Sequence, residues 1–376
     1  MLTTNASVLF RPLETGSFSL PSRLVMAPMT RAFSPGGVPT AAVADYYARR
    51  VAGGIGLIIT EGTWIDHPTA SNEDNAPRFY GEDALKGWRN VVSAVHAEGG
   101  KIAPQLWHVG MTRRPEIDNL YEKIEEDLSV KFSPSGVVMP GEIVATGASE
   151  TQIREVIDAY ARGAEMAKRL GFDAVEIHAA HGYCVDQFFW HETNLRTDEW
   201  GGPRLVDRAR FGVELVRACR AKVGPDFPII LRFSQWKLQD YGARLTDSPE
   251  ELGEFLQALS QAGVDIFHAS QRRFHEPAFA GSVLNLAGWA KRLTGKPAIS
   301  VGSVGISRDL LETFASDEPA SITGIEDLCK RMEADEFDFI AIGRALISDP
   351  DWAFKVRDGR EREIKPYSPQ ALLELT

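Results

Sequence analysis

The chain has 376 residues, 44% of them apolar and 25% charged, which suffices for a packed core and excludes a disordered or collagen-like chain. Its 41 Lys and Arg against 52 Asp and Glu leave a net charge of −11. That sign repels phosphate backbones and anionic lipid, so neither nucleic acid nor a membrane is an expected partner. Cys184, Cys219 and Cys329 stand far apart without a CxxC, which excludes a disulfide framework, a cysteine zinc site and a four-cysteine iron–sulfur cluster. The opening MLTTNASVLFRPLETG has no basic start and no sustained apolar run. The most apolar stretch, Val51–Thr60, is interrupted by three glycines and is too short to span a bilayer. A cytoplasmic location is expected.

Short β-branched runs recur along the chain, each followed by a helical pattern. In order, strands are predicted at Arg23–Ala27, Gly56–Gly62, Lys101–Trp107, Asp173–His178, Pro228–Phe233, Val264–Ser270, Pro297–Gly302 and Phe337–Gly343. Most are near-continuous apolar runs, as parallel strands covered on both faces require. Before the fourth strand, Ser149 and Gln152 have capping-box spacing. Ile153, Val156, Ile157, Tyr160, Ala164 and Ala167 follow as one apolar stripe, and Gly171 ends the helix. Eight strand–helix units predict the α/β class and a single (β/α)8 TIM barrel over residues 1–376. A doubly wound sheet is the competitor, but no GxGxxG follows the first strand, and Gly53, Gly54 and Gly56 precede a strand rather than a helix. The polar stretch from His108 to Gly147, with an acidic patch at Glu122–Asp127, is expected as an excursion over the C-terminal face, without assigned function.

In such a barrel, side chains from every strand converge where the strands end. The predicted ends carry Ala27-Pro28-Met29-Thr30, Glu61-Gly62, Gln105-Leu106-Trp107-His108, His178 with His181 and Tyr183, Arg232, Ser270 before Arg272 and Arg273, Gly302-Ser303, and Gly343-Arg344. Any one of these is more often a structural partner than a ligand contact; their coincidence on one face points to a site. Loops after the seventh and eighth strands commonly hold a phosphate, and Gly302, Ser303, Gly343 and Arg344 supply backbone approach and a guanidinium there. The plainer reading of Gly343-Arg344 is a tight turn with a surface cation. His178 and His181 have the spacing of metal ligands, but neither an HExxH nor a cysteine partner accompanies them. Alternatively they donate hydrogen bonds to a substrate oxygen, or are satisfied core histidines. Tyr183, protonated at neutral pH, suits a general acid. Trp107 reads as packing that could also wall an aromatic ligand.

Further motifs join these: RLVMAPMTR (Arg23–Arg31), GLIITEGT (Gly56–Thr63), QLWHVG (Gln105–Gly110), GFDAVEIHAAHGYCVDQF (Gly171–Phe188), NLRTDEWGGPRLVDRARF (Asn194–Phe211), AGWAKRLTGKPAISVGSVG (Ala287–Gly305) and AIGRALISDPDW (Ala341–Trp352). From about residue 8 to residue 355, this ordered series resembles the Old Yellow Enzyme family of FMN-dependent ene-reductases. The resemblance implies non-covalent FMN reduced by NADPH or NADH. It implies hydride transfer from the flavin to the β-carbon of a small alkene activated by a carbonyl or nitro group. Ala27, Pro28 and Met29 would pack beside the ring, with Thr30 at the C4 carbonyl, Gly62 offering backbone contact and Gln105 at the pyrimidine edge. Arg232 would lie near N1, and Gly302, Ser303, Gly343 and Arg344 would hold the phosphate. His178 and His181 would grip the substrate oxygen, while Tyr183 protonates the α-carbon.

Some positions depart from the family pattern. His181 stands where many members have Asn, and Thr30 where one subclass has Cys. Trp200 replaces a more usual Tyr, Cys184-Val185 replaces Leu-Leu, and Thr313–Asp327 is longer than usual. The resemblance leaves room for a homo-oligomer and does not decide between NADH and NADPH; Arg113, Arg272 and Arg273 are candidate contacts for a 2′-phosphate. Two rival functions remain at this point. One is a metal-dependent hydrolase or lyase using His178 and His181, the other a non-catalytic flavin-binding barrel.

Overall fold

The computed structural model describes residues 6–376 apart from 17, 72, 113–126, 128–130 and 315–317. Arg113 and, except for Asp127, the acidic patch lie outside the described residues. Eight parallel strands close into a barrel in chain order: β1 (Leu24–Met26), β2 (Leu57–Trp64), β3 (Lys101–Trp107), β4 (Val175–His178), β5 (Ile229–Ser234), β6 (Ile266–Ser270), β7 (Ala298–Val301) and β8 (Phe339–Ile342). The ring closes where β8 pairs with β1, Ala341 opposite Val25. All eight predicted strands are present. Their flanks differ because Ala27, Gly302 and Gly343 already turn into the loops, while β2 runs on to Trp64 through a bulge between Ile59 and Gly62.

Helices Ala41–Ala52, Glu82–Ala97, Glu150–Leu170, Arg210–Val223, Pro249–Ala262 and Leu286–Thr294 follow strands β1 to β6. The third shows how sequence sets an element. Ser149 Oγ accepts from Gln152 N, and Gln152 Oε1 accepts from Ser149 N at 2.9 Å. Ile153, Val156, Ile157, Tyr160, Ala164 and Ala167 are all buried, each large side chain contributing about 1.5–3 kcal/mol of burial. Gly171, at φ 87°, ends the helix in the left-handed conformation.

Val25, Ile59, Ala103, Ile230, Ile266, Ile299 and Phe339 fill the barrel from seven strands, and Ala174 from the position just before β4. Phe18 and Leu20 join them from a hairpin, Leu13–Thr15 with Phe18–Leu20, whose three-residue strands gave no readable pattern. The polar excursion carries a second small hairpin, Val137–Met139 with Glu142–Ile143. The three cysteines are buried and unpaired; burial pushes the thiols of Cys219 and Cys329 up to about 12 and about 11. Among the described residues no helix is long and apolar enough to cross a membrane.

Candidate active site

A cavity of about 1120 Å³ opens at the C-terminal ends of the strands. Ala27, Pro28, Met29 and Thr30 line it from β1, Gly62 from β2, Gln105 from β3, His178, His181 and Tyr183 from β4, and Arg232 from β5. Gly302 and Ser303 follow from β7, and Gly343 and Arg344 from β8; Trp107, Ser270 and Arg272 also reach this space, whereas Glu61, Leu106, His108 and Arg273 from the same strand ends do not line it. The excursion given no function contributes Val138 and Met139 to the same wall.

The loop after β1 is fixed from below. Glu61, at the β2 bulge and 1% exposed, accepts the backbone N–H groups of Arg31 at 2.8 Å and Ala32 at 3.0 Å. Burial pushes its carboxyl up to about 7, while those two bonds oppose the shift. Ala32, His181 and Ser303 all line the cavity with left-handed backbone, at φ 55°, 66° and 49°. Outside glycine such backbone costs roughly 1–3 kcal/mol, and it persists where the surroundings enforce it.

Two glycines keep side chains out of the cavity floor. A Cβ on Gly62 would lie 2.8 Å from the Trp107 ring, and one on Gly302, at φ 149°, 2.6 Å from the Gln271 carbonyl. Arg232 lines the same cavity, 7% exposed, with a buried Nε that has no partner among the described residues. Burial lowers its pKa to about 10, and the carboxylate of Glu176 opposes that change. Bare floor, a buried cation and polar strand ends fit a flat heteroaromatic cofactor that gains negative charge on reduction.

On the β4 side, the rings of His178 and His181 meet edge-on at 5.1 Å, and those of His178 and Tyr183 at 5.0 Å. His178 Nδ1 lies 3.4 Å from Ala180 N, in the position of an acceptor, which leaves Nε2 to carry the proton. His181 Nε2 is 2.8 Å from Ser270 Oγ, and its ring stacks on Trp236 at 4.3 Å. Burial first, then the Arg232 charge, holds both imidazoles well below their ordinary pKa, so both are neutral at pH 7. Tyr183 precedes the short helix Cys184–Phe189 and meets Trp107 edge-on at 5.2 Å.

The expected phosphate corner is knitted together. Ser303 Oγ lies 2.9 Å from Arg272 O. Arg344 donates to the carbonyls of Asp309 at 2.7 Å and Arg308 at 2.8 Å, and to the Thr313 hydroxyl. The start of the long Thr313–Asp327 stretch is therefore held to the site, and the adjoining helix Leu310–Phe314 lends Leu311 to the cavity. Arg272 and Arg273 pair with Asp309 and Glu312 at 2.9 and 2.6 Å.

Several wall residues were not singled out from the sequence. Trp236 and Tyr241 stack at 4.9 Å in the loop after β5; two aromatics just beyond Arg232 were the available signal. Tyr367, Leu372 and Leu373 arrive from the C-terminal segment, which Arg31 Nη2 holds by carbonyls such as Ala371 O at 3.1 Å. No local pattern announces that contact.

Residues 8–363 match the profile of the NADH:flavin oxidoreductase / NADH oxidase family. A chanoclavine-I aldehyde reductase of Penicillium roqueforti is 34% identical over 354 residues, covering 93% of this chain and 89% of that one. An NADH oxidase of Thermoanaerobacter brockii is 32% identical over 369 residues, 95% of this chain; the chain spans about half of that relative's length, 52%. The crystal structure of Old Yellow Enzyme from Pichia sp. AKU4542 superposes with a TM-score of 0.77 at 25% identity, covering 98% of this chain and 90% of that one. Barrel, cavity and relatives agree: the chain belongs to the NADH:flavin oxidoreductase / NADH oxidase family, that of the Old Yellow Enzymes, whose cofactor is FMN and whose reductant is NAD(P)H.

Proposed function

We propose that the chain, acting as one barrel domain, reduces the C=C bond of small α,β-unsaturated carbonyl or nitro compounds. The observation that carries this reading is the convergence of two neutral histidines and a tyrosine, His178, His181 and Tyr183, on the wall of the cavity that the flavin-side strand ends also line. Gln105 and Arg232 would hold the pyrimidine side of the cofactor, Ala27 to Thr30 and Gly62 the ring, and Gly302, Ser303, Gly343 and Arg344 the phosphate. FMN held there, reduced by NAD(P)H, would supply the hydride that the reduction of the C=C bond needs.

The protein's own groups do the rest. His178 donates through Nε2–H to the carbonyl or nitro oxygen, and His181 adds a second donor from the same wall. Together they draw electron density from the β-carbon and stabilise the enolate or nitronate charge that develops. Neutral imidazoles suit the task, because they donate without a net charge to desolvate. The Tyr183 hydroxyl delivers its proton to the α-carbon and is reprotonated from solvent.

The rival metal reading loses ground because, among the described residues, no group of three or more His, Cys, Asp or Glu stands ready to hold an ion. The test is a visible absorption spectrum of the purified protein, followed anaerobically by NAD(P)H and then 2-cyclohexenone. Flavin bands that bleach with the nucleotide and return with the enone are the expected result. Bands that bleach but never return with any enone or nitroalkene would leave a flavin barrel without this activity, and no bands after adding FMN would sink the flavin reading itself.

A further inference from the structure

Beneath the cavity, one layer down inside the barrel, lies a polar group that the proposed chemistry does not use. Glu176 and His178 are two apart on β4, as are His268 and Ser270 on β6, so each pair faces the same way on its strand. His178 and Ser270 line the cavity, and Glu176 and His268 sit below them with no exposure. A carboxylate in a closed barrel is costly unless each oxygen is satisfied. Here Oε1 lies 2.8 Å from Gln105 Nε2 and Oε2 lies 2.6 Å from His268 Nδ1.

We infer that Glu176 is a positioning residue for the cofactor, fixing which face Gln105 presents to the flavin and moderating the charge of Arg232. The inference rests on the reading that Gln105 and Arg232 meet the pyrimidine side of FMN. A carboxylate only accepts, so it turns the Gln105 amide with its NH2 toward Glu176 and leaves Oε1 for the cavity. On the pyrimidine edge of oxidised flavin the one N–H is at N3, between two carbonyls. Gln105 therefore reads N3–H through Oε1. Were Glu176 absent, the amide could turn over and offer NH2 to a carbonyl instead.

The same carboxylate faces a second group. Arg232 lies beside His178 on one strand and His268 on the other, and Glu176 is the opposite charge that acts on it most strongly. His268 gives its Nδ1–H to Glu176, and its buried Nε2 has no partner among the described residues. Arg232 and Glu176 thus stand as an opposed cation and anion at the base of the cavity. Arg232 favours the negative charge of reduced flavin, and Glu176 sets how far it does so.

The experiment compares native protein, Glu176→Gln and Glu176→Asp, each loaded with FMN. Two readouts are needed: the flavin midpoint potential, and the N3–H-coupled band in the resonance Raman spectrum in H2O against D2O. Glu176→Gln should favour reduced over oxidised flavin by roughly tenfold, a rise of about 30 mV for a two-electron couple, and should move the band. Glu176→Asp keeps the charge but withdraws it by a methylene, so the band should move while the potential stays near native. An unchanged potential and band in Glu176→Gln would overturn the inference. So would loss of the folded barrel in both variants, which would assign Glu176 to core support alone. Failure of the native protein to bind FMN is a different result, and it would count against the reading of the cavity.

Discussion

The loop that carries His181 and Tyr183 is tied down by a buried ion pair, and breaking it should be costly in a calculable way. Lys237 Nζ meets Asp186 at 2.7 and 2.8 Å, and both side chains are 0% exposed. Asp186 also accepts the Gly182 N–H at 2.7 Å, between the two proposed site residues. Burial pushes the Asp186 carboxyl up and the Lys237 ammonium down, and each group opposes the other's shift. Replacing one partner, as in Lys237→Met, leaves the other charge uncompensated in the core, a loss of about 3–5 kcal/mol. Unfolding entropy of about 2.1 cal/mol/K per residue gives roughly 0.8 kcal/mol/K for a chain of 376 residues, so Tm should fall by about 4–6 °C. The double change Asp186→Leu/Lys237→Met removes both charges and should recover part of that. It leaves the Gly182 N–H without its acceptor, worth about 1–3 kcal/mol. Circular dichroism melts of the three proteins supply the comparison. A double variant at least as unstable as Lys237→Met would refute the assignment of the cost to an orphaned charge.

Four further outcomes are expected. Tyr183→Phe should leave FMN binding and oxygen-dependent NAD(P)H oxidation intact while slowing enone reduction by about 10²–10⁴-fold; unchanged stopped-flow reoxidation by 2-cyclohexenone removes Tyr183 from proton donation. His178→Ala/His181→Ala should abolish the charge-transfer band given by phenols, which mimic an enolate oxygen, and a normal titration would refute the oxygen-binding role. Gly302→Ala forces a Cβ to within 2.6 Å of the Gln271 carbonyl, so gel filtration should release most of its flavin; full retention would show that the floor can shift. Stability should decline as pH falls from 7 to 5.5, read by urea unfolding. The buried His108, His178, His181 and His268 are held below the ordinary value, so the unfolded chain gains protons near 6.5 that the folded one refuses. Glu61, raised to about 7, acts in the opposite direction between about 4.5 and 7, and Asp186, also pushed up by burial, shares that sign, but four imidazoles outweigh two carboxyls, and a flat or rising profile would contradict the assignment.

The sequence made the ring legible because parallel strands covered on both faces must be apolar throughout, and β3 has the predicted bounds, Lys101–Trp107. The site was legible for a related reason: polar groups such as Gln105, His178 and Arg232 at strand ends have no place in a plain core. What escaped depends on contacts distant in the chain. Glu61 stands beside Gly62 in a readable motif, yet its grip on the Arg31 and Ala32 amides exists only once β1 and β2 lie side by side. Leu372 and Leu373 reach the cavity because Arg31 holds the carbonyls around them, a pairing across about 340 residues. Glu176 and His268 were visible as polar residues within strands, but only the layering of the barrel puts them under Gln105.

The closure between β1 and β8 has a mechanical meaning. Ala341 and Val25, 316 positions apart, are neighbours there, and Ala27 N donates to Ile342 O at 2.9 Å just before the chain enters the cavity. Pro28–Thr30 leave one lip of this seam and Gly343–Arg344 the other, so a cofactor touching both would act as a clasp between distant parts of the polypeptide. By mass action, ligand at a hundredfold over Kd adds about 2.7 kcal/mol against opening. Loss of flavin would therefore remove more than the colour and the chemistry: it would take a reinforcement from the place where the first and last staves meet.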